Sequence, residues 1–380
     1  MKGFIDIPVY IYGKGIIKTN IGIENDKIKY IGNDSTNIEK ICDINGIMVA
    51  GFIDEHIHGC GGYDTMDANK LALETISQNL AKEGTTSFLA TTMTQDENKI
   101  IKTLSVISKY TNTDLGGANL IGCHLEGPFI SEKYCGAQPK EYIKSPTIPL
   151  MENFINVSRE TIKIVTYAPE NDTNNTLLKY LISKNITPSA GHSKANFDTI
   201  QDSLNNGLKC ITHTFNAQSP IHHRDIGVAG SALLFNELAT EIICDGIHLS
   251  YPAIKLLIKN KPKDKIILIT DSIRAKWIDS KISELGGQTV YINNGKATLE
   301  NGTIAGSILK MNNSIKNLVT KAGVPFTDAI DYATYNPAKN LNMLDTIGTI
   351  EEGKLANLTV IDKDFNITLT MVNGKVIFKI

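Results

Sequence analysis

Between residues 47 and 270, short apolar runs alternate with longer segments whose apolar residues recur every three or four positions. The runs are Ile47–Ile53, Thr86–Thr92, Asn119–Glu126, Ile162–Tyr167, Ile186–Ala190, Leu208–Thr212, Glu241–Cys244 and Ile266–Thr270. Helical periods are predicted over Ala68–Lys82, Asp96–Tyr110, Asn174–Ser183, Ala195–Asn205 and Tyr251–Lys259, with Ser193 the expected N-cap near the fourth. Eight such strand–helix units predict an α/β fold, a (β/α)8 TIM-like barrel. The two chain ends follow a different pattern. Val9–Tyr12, Ile16–Ile23 and Lys27–Ile31 read as strands, and so do Leu358–Ile361, Ile367–Val372 and Val376–Ile380. Asn373-Gly374 marks a hairpin. We therefore expect residues 1–50 and 345–380 to form one small β-sandwich domain, with residues 51–344 as the barrel inserted between them.

Composition narrows the function classes. The formal net charge is −2 and no basic block stands out, which argues against nucleic acid as a partner. No stretch reaches the ~20 apolar residues that a membrane span needs. The six cysteines show no CxxC pairing and read as reduced thiols of a cytoplasmic protein. No glycine-rich nucleotide loop is present.

In a barrel, functional groups lie at the C-terminal ends of the strands. The first run leads into His56 and His58, which a period of two puts on the same side, with Ile57 on the other. The third ends at His124-Leu125-Glu126, the fifth at Gly191-His192-Ser193 and the sixth at Thr212-His213. The seventh leads to Asp245-Gly246-Ile247-His248 and the eighth to Asp271-Ser272. Every histidine except His222 and His223 stands at such an end.

Imidazole and carboxylate are the usual ligands of a catalytic divalent ion. Glu126, His192 and His213 are expected to hold one ion. His56 and His58 permit a second, with Glu126 bridging, and Cys60 reads as a neighbour rather than a ligand. Asp271 is suited to general base and acid work. The loop after the sixth run carries Asn216, Ala217, His222, His223 and Arg224, and the guanidinium offers a fork for phosphate or carboxylate.

These segments resemble the amidohydrolase superfamily, and within it the deacetylases of N-acetylglucosamine 6-phosphate. The resemblance rests on His124-Leu125-Glu126-Gly127-Pro128-Phe129, Gly191-His192-Ser193, Thr212-His213-Thr214-Phe215-Asn216-Ala217, Cys244-Asp245-Gly246-Ile247-His248, Thr270-Asp271-Ser272 and Ile304-Ala305-Gly306-Ser307. It implies a cofactor of one or two divalent ions, zinc or iron, on Glu126, His192, His213, His56 and His58. Asp271 is counted with these ligands and is the catalytic acid/base. It implies that Asn216, Ala217 and Arg224 face the phosphate of a phosphorylated amino sugar and that His248 contacts the sugar. Ile304, Ala305 and Gly306 would line the acetyl side, and Ala137 and Gln138 belong to a further substrate segment. Some of the family have histidine at the Gln138 position, so no histidine role carries over to it. The implied reaction releases acetate and glucosamine 6-phosphate, in amino-sugar catabolism or cell-wall recycling, by a homodimer. A galactosamine epimer or a cyclic amide remains the alternative substrate. Cyclic amidases of the superfamily often carry a bridging lysine at the end of the fourth strand; here that end reads Thr166-Tyr167-Ala168.

Overall fold

The computed structural model describes residues 1–380. Eight parallel strands follow one another round a barrel in chain order. They are Phe52–Ile57, Thr85–Thr91, Asn119–Glu126, Ile162–Tyr167, Thr187–Ala190, Cys210–Ile211, Ala239–Ile243 and Ile266–Ile269. The ring closes where Asp271 N donates to His56 O at 2.9 Å and the Thr270 hydroxyl donates to Asp54 Oδ2 at 2.6 Å. Ile53, Leu89, Ile121 and Ile164 fill one inner layer, sealed by Ala338, Leu341 and Ile347. The outward faces pack on the helices in a second, larger core that includes Ile57, Leu73, Ile76, Phe88 and Leu104. Burying each such aliphatic side chain contributes about 1.5–3 kcal/mol over leaving it exposed.

The predicted helices are present as Lys70–Ala81, Glu97–Tyr110, Thr176–Ser183, Phe197–Asn205 and Tyr251–Asn260. In Glu97–Tyr110 the buried face is Ile100, Thr103, Leu104 and Ile107, the spacing of one helical stripe. One cap differs from expectation. Asn196, not Ser193, caps Phe197–Asn205, its side chain accepting from Thr199 N at 2.9 Å. Ser193 instead donates to Glu170 at 2.6 Å. Helices Ile148–Val157 and Gly227–Leu234 add two more, and Met311–Asn317 and Phe326–Ala333 follow the eighth strand.

The chain ends build one separate sheet. Its order is Lys375–Lys379, Ile367–Val372, Leu358–Ile361, Ile47–Ala50, Lys2–Ile11, Gly15–Glu24 and Lys27–Gly32, with Glu39–Lys40 beside Lys2–Ile11. Asn373 and Gly374 both have positive φ, 48° and 75°, as the tight hairpin requires. The run Ile47–Ile53 is not one strand. Ile47–Ala50 pairs antiparallel with Leu358–Ile361, whereas Phe52–Ile57 pairs parallel with Thr85–Thr91. The chain changes sheets at Gly51, where a β-carbon would stand 2.2 Å from the Thr86 side chain. Both halves are buried, so hydropathy alone reads them as continuous.

A further three-stranded antiparallel sheet, Ile282–Leu285, Gln288–Asn293 and Lys296–Thr298, follows the eighth barrel strand. It docks beside the barrel mouth: Gln288 Nε2 donates to Ala137 O at 2.7 Å, and Gln95 Nε2 donates to Gly286 O at 2.9 Å. No helix is long and apolar enough to cross a membrane.

Candidate metal centre and substrate cavity

The strand ends converge on a cavity of about 250 Å³. It is lined by His58, Glu126, His192, His213, Asp271, His248, Asn216, Ala217, Ala137, Gln138, Ile304 and Gly306, together with Gly136, Met93, Leu285 and Thr303. Glu126 lies at the centre of the polar cluster. Its Oε1 is 3.1 Å from His192 Nε2 and 3.0 Å from His213 Nε2, and the two imidazole nitrogens are 3.1 Å apart. These spacings approach the ~3.3 Å edge of a tetrahedron with ~2 Å metal–ligand bonds. Its Oε2 faces His58 Nε2 at 3.2 Å. Asp271 Oδ1 is 3.2 Å from His58 Nε2 and 3.6 Å from His56 Nε2. His56 Nε2 is fully buried and has no hydrogen-bond partner. Glu126, His192 and His213 form one group able to hold a metal ion, and His56, His58 and Asp271 form another. Two nitrogens facing each other beside a carboxylate, with an orphaned third, suit a cation: burying such groups without one is costly.

Electrostatics follow from this crowding. Burial alone would lift the Asp271 carboxyl, but His58 and His56 hold it at about 2. Burial likewise opposes charge on His58, and Asp271 and Glu126 overcome it, lifting the imidazole to about 10. Glu126 lies well below the usual carboxylate range because the imidazoles, led by His56, outweigh its burial. Its carboxylate is therefore ready to bind a cation.

The backbone is strained at the same residues. His192, His213 and Asp271 have φ of 47°, 28° and 46°, and Phe215 and Ala217 are also left-handed. Hydrogen bonds secure these turns. Ser131 N donates to His192 O at 2.8 Å, and Ser307 N donates to Asp271 O at 2.8 Å. His213 N donates to Glu241 Oε2 at 3.1 Å.

His124 has a different role from its neighbours. Its Nδ1 can only donate to the Glu55 carbonyl, 3.0 Å away. Nε2 must then accept from the Thr166 hydroxyl at 2.7 Å. The order runs back through Thr212 and Ser189, with successive hydroxyls 2.6 Å apart. Burial, then the nearby His56, push the imidazole down to about 4, so it stays neutral. Both ring nitrogens are occupied, and His124 serves the barrel floor.

Gln138 is oriented by the same kind of logic. Thr94 N donates to its Oε1 at 2.6 Å, so its amide nitrogen must be the donor to Glu126 Oε2, 2.7 Å away. His248 is held by Asp245, whose Oδ2 lies 2.7 Å from His248 Nδ1, and this leaves Nε2 for the cavity. Three sequence candidates lie outside the cavity wall. His56 and Ala305 are fully buried behind it. Arg224 is exposed on the sixth-strand loop, in a separate depression with Phe197, Asp225 and Leu234, and its Nη1 is 2.8 Å from His223 Nε2. Cys60 is buried and belongs to neither ligand group.

Other residues of the centre lie outside the sequence candidates. Glu241 is buried in the seventh strand with its Oε2 3.1 Å from His56 Nδ1. Beside it, Glu55 is raised well above the usual carboxyl range by burial and by the charge of Glu241. The successive side chains Glu55 and His56 both approach Glu241, which strict alternation forbids. A register slip between Asp54 and Ile57 against the second strand accounts for it. Met93, Leu285 and Thr303 also line the cavity without any motif to mark them.

A family model described as the amidohydrolase family matches residues 47–377. The chain belongs to this family. An amidohydrolase relative from Bacillus subtilis (strain 168), named N-acetylglucosamine-6-phosphate deacetylase, is 39% identical, covering 98% of this chain and 96% of its own. The crystal structure of the protein of that name from Pasteurella multocida is 33% identical, with TM-score 0.92 and 99% of each chain covered. That from Thermotoga maritima is 33% identical with TM-score 0.91 and 100% of each covered. The chain is thus a hydrolase with a (β/α)8 barrel and a small β domain from both ends.

Proposed function

We propose that this amidohydrolase removes the acetyl group of N-acetyl-D-glucosamine 6-phosphate, giving D-glucosamine 6-phosphate and acetate. The observation that carries this reading is the Glu126–His192–His213 cluster facing an ionised Asp271 across a sugar-sized cavity. The names of the full-length relatives support the same substrate.

Glu126, His192 and His213 would hold the main ion, zinc or iron. His56 and His58, with Asp271, offer a second position that Glu126 Oε2 can reach through His58. A divalent ion supplies Lewis acidity toward water and the acetamide carbonyl. Asp271, held as the carboxylate, takes a proton from the attacking water and returns it to the leaving nitrogen. Gln138 keeps Glu126 aimed at the ion position while its loop walls the cavity. His248 Nε2 is free for a sugar hydroxyl, and Ile304 and Gly306 flank the acetyl side. Ala305 backs that wall. Asn216 and Ala217 line the cavity on the same sixth-strand loop that carries Arg224, which would meet the phosphate.

The test is acetate release by protein loaded with zinc or with iron(II). N-acetylglucosamine 6-phosphate, its galactosamine epimer and both unphosphorylated sugars are compared. The expected order of kcat/KM places the glucosamine phosphate first. No acetate from any N-acetylhexosamine 6-phosphate, with ion bound, would overturn the reading.

A further inference from the structure

Besides Glu126, the buried carboxylate of Glu241 also reaches both halves of the metal centre. It projects from the seventh strand, Ala239–Ile243, and is closed off from solvent. A single oxygen, Oε2, faces two groups. One is His56 Nδ1 at 3.1 Å. The other is His213 N, which donates to it at 3.1 Å. His56 belongs to the first-strand position and His213 to the position of Glu126 and His192. A carboxylate oxygen cannot donate, so it fixes the proton of His56 on Nδ1 and leaves the lone pair on Nε2. That nitrogen points toward Glu126 Oε1 and Asp271 Oδ1, 3.6 Å from each. At His213 the same oxygen satisfies the amide of a residue held at φ 28°, a conformation the chain would otherwise leave. The register slip beside His56 lets its ring reach this oxygen.

We propose that Glu241 is a positioning residue for the metal centre: through one oxygen it sets the tautomer of His56 and the main-chain turn of His213, and so governs ion affinity at both positions. The assignment rests on the metal-dependent deacetylase reading and adds to it a residue that acts through His56 Nδ1 and His213 N.

The experiment is zinc binding to metal-free full-length protein by competition with a chromophoric chelator, in the absence of sugar. Wild type, Glu241→Gln and His56→Ala are compared. Removing a carboxylate that orients a ligand histidine costs about 10–100-fold in metal affinity. Glu241→Gln should therefore weaken every zinc site by that factor. His56→Ala should leave the tightest site unchanged. Nitrogen NMR of the zinc-loaded protein should show, in wild type, an Nδ1 proton on His56 that the Gln variant loses or exchanges faster. If Glu241→Gln does not fold, Glu241→Asp keeps the charge but withdraws the oxygen by one methylene, and should bind zinc more weakly than wild type.

Wild-type zinc affinity in a folded Glu241→Gln or Glu241→Asp protein would overturn the assignment. So would weakening confined to the site that His56→Ala removes. Because zinc is read without substrate, these outcomes are separate from a failure to release acetate, which would count against the deacetylase reading alone.

Discussion

Two buried clusters of charge in this molecule are built to opposite plans. Lys276 and Glu83 form a closed pair: Nζ meets Oε1 at 2.6 Å and neither side chain touches solvent. Burial opposes the lysine's charge, but Glu83 outweighs it and holds the ammonium above its ordinary range. The centre round Glu126 gathers four imidazoles and two carboxylates at the edge of a cavity and leaves His56 Nε2 orphaned. The first arrangement balances its charges within the chain, although Glu83 Oε2 has no partner, and the second could hold a cation. Burial of charge therefore does not by itself mark a site. Unmet donor and acceptor capacity beside an opening does.

The comparison can be broken at its strongest point first. His192→Ala and His213→Ala should each lose the main ion and with it all measurable acetate release, as read by elemental analysis and turnover. An active, metal-free variant would refute the centre. Asp271→Asn should keep most of the ion while kcat falls by about 10²–10⁴, with little change in KM. A near-normal kcat would exclude Asp271 as the proton carrier.

Effects at the closed pair should fall on stability instead. Lys276→Met strands Glu83 and should cost about 3–5 kcal/mol in denaturant unfolding. The double variant Lys276→Met/Glu83→Gln should recover most of that loss, and neither should change the ion content. Loss of metal from the double variant would mean that the two clusters are one system.

The smallest effect concerns Asp331, which is neither metal-facing nor ion-paired. Tyr10 donates to it at 2.8 Å. Burial, against that hydrogen bond, lifts its carboxyl to about 6. A carboxyl raised on folding contributes stability below its unfolded value, near 4, and loses that contribution as pH climbs through 6. The group is only part-buried, so screening reduces the effect. Asp331→Asn should raise Tm at pH 7 by about 1–2 °C and leave it unchanged at pH 4, as scanning calorimetry would show. An equal change at both pH values would refute the titration.

Much of the barrel was legible because buried strands are apolar runs and because histidines interrupt polar segments at their ends. Glu126, His192, His213 and Asp271, which the structure gathers at the cavity, stand out in this way, and Asn373-Gly374 announced its hairpin by turn chemistry alone. What escaped depended on the third dimension. Glu241 opens an apolar run, and nothing local shows which ring it meets. The slip at Asp54–Ile57 defeats the period of two that correctly paired His56 with His58. The sheet Ile282–Thr298 is hidden because it alternates buried and exposed residues too weakly, with only Val290 fully covered in its middle strand. Lys276 and Glu83 find each other across the fold, at a separation no sequence window spans.

The change of sheet at Gly51 also bears on how the molecule comes into being. Val49 must pair with Thr359, almost a whole chain length away. Emerging from the ribosome, Ile47–Ala50 has an unpaired edge until Leu358–Ile361 is made. Its immediate continuation carries His56 and His58. The first barrel strand thus continues from a strand whose partner is made only after the eight barrel strands. Contacts of such separation form slowly, so one edge of Ile47–Ala50 stays open to misassociation until then, while Lys2–Ile11, Gly15–Glu24 and Lys27–Gly32 pair locally. The order of synthesis therefore leaves the lead-in to the first barrel strand with one open edge after the barrel strands themselves have been made.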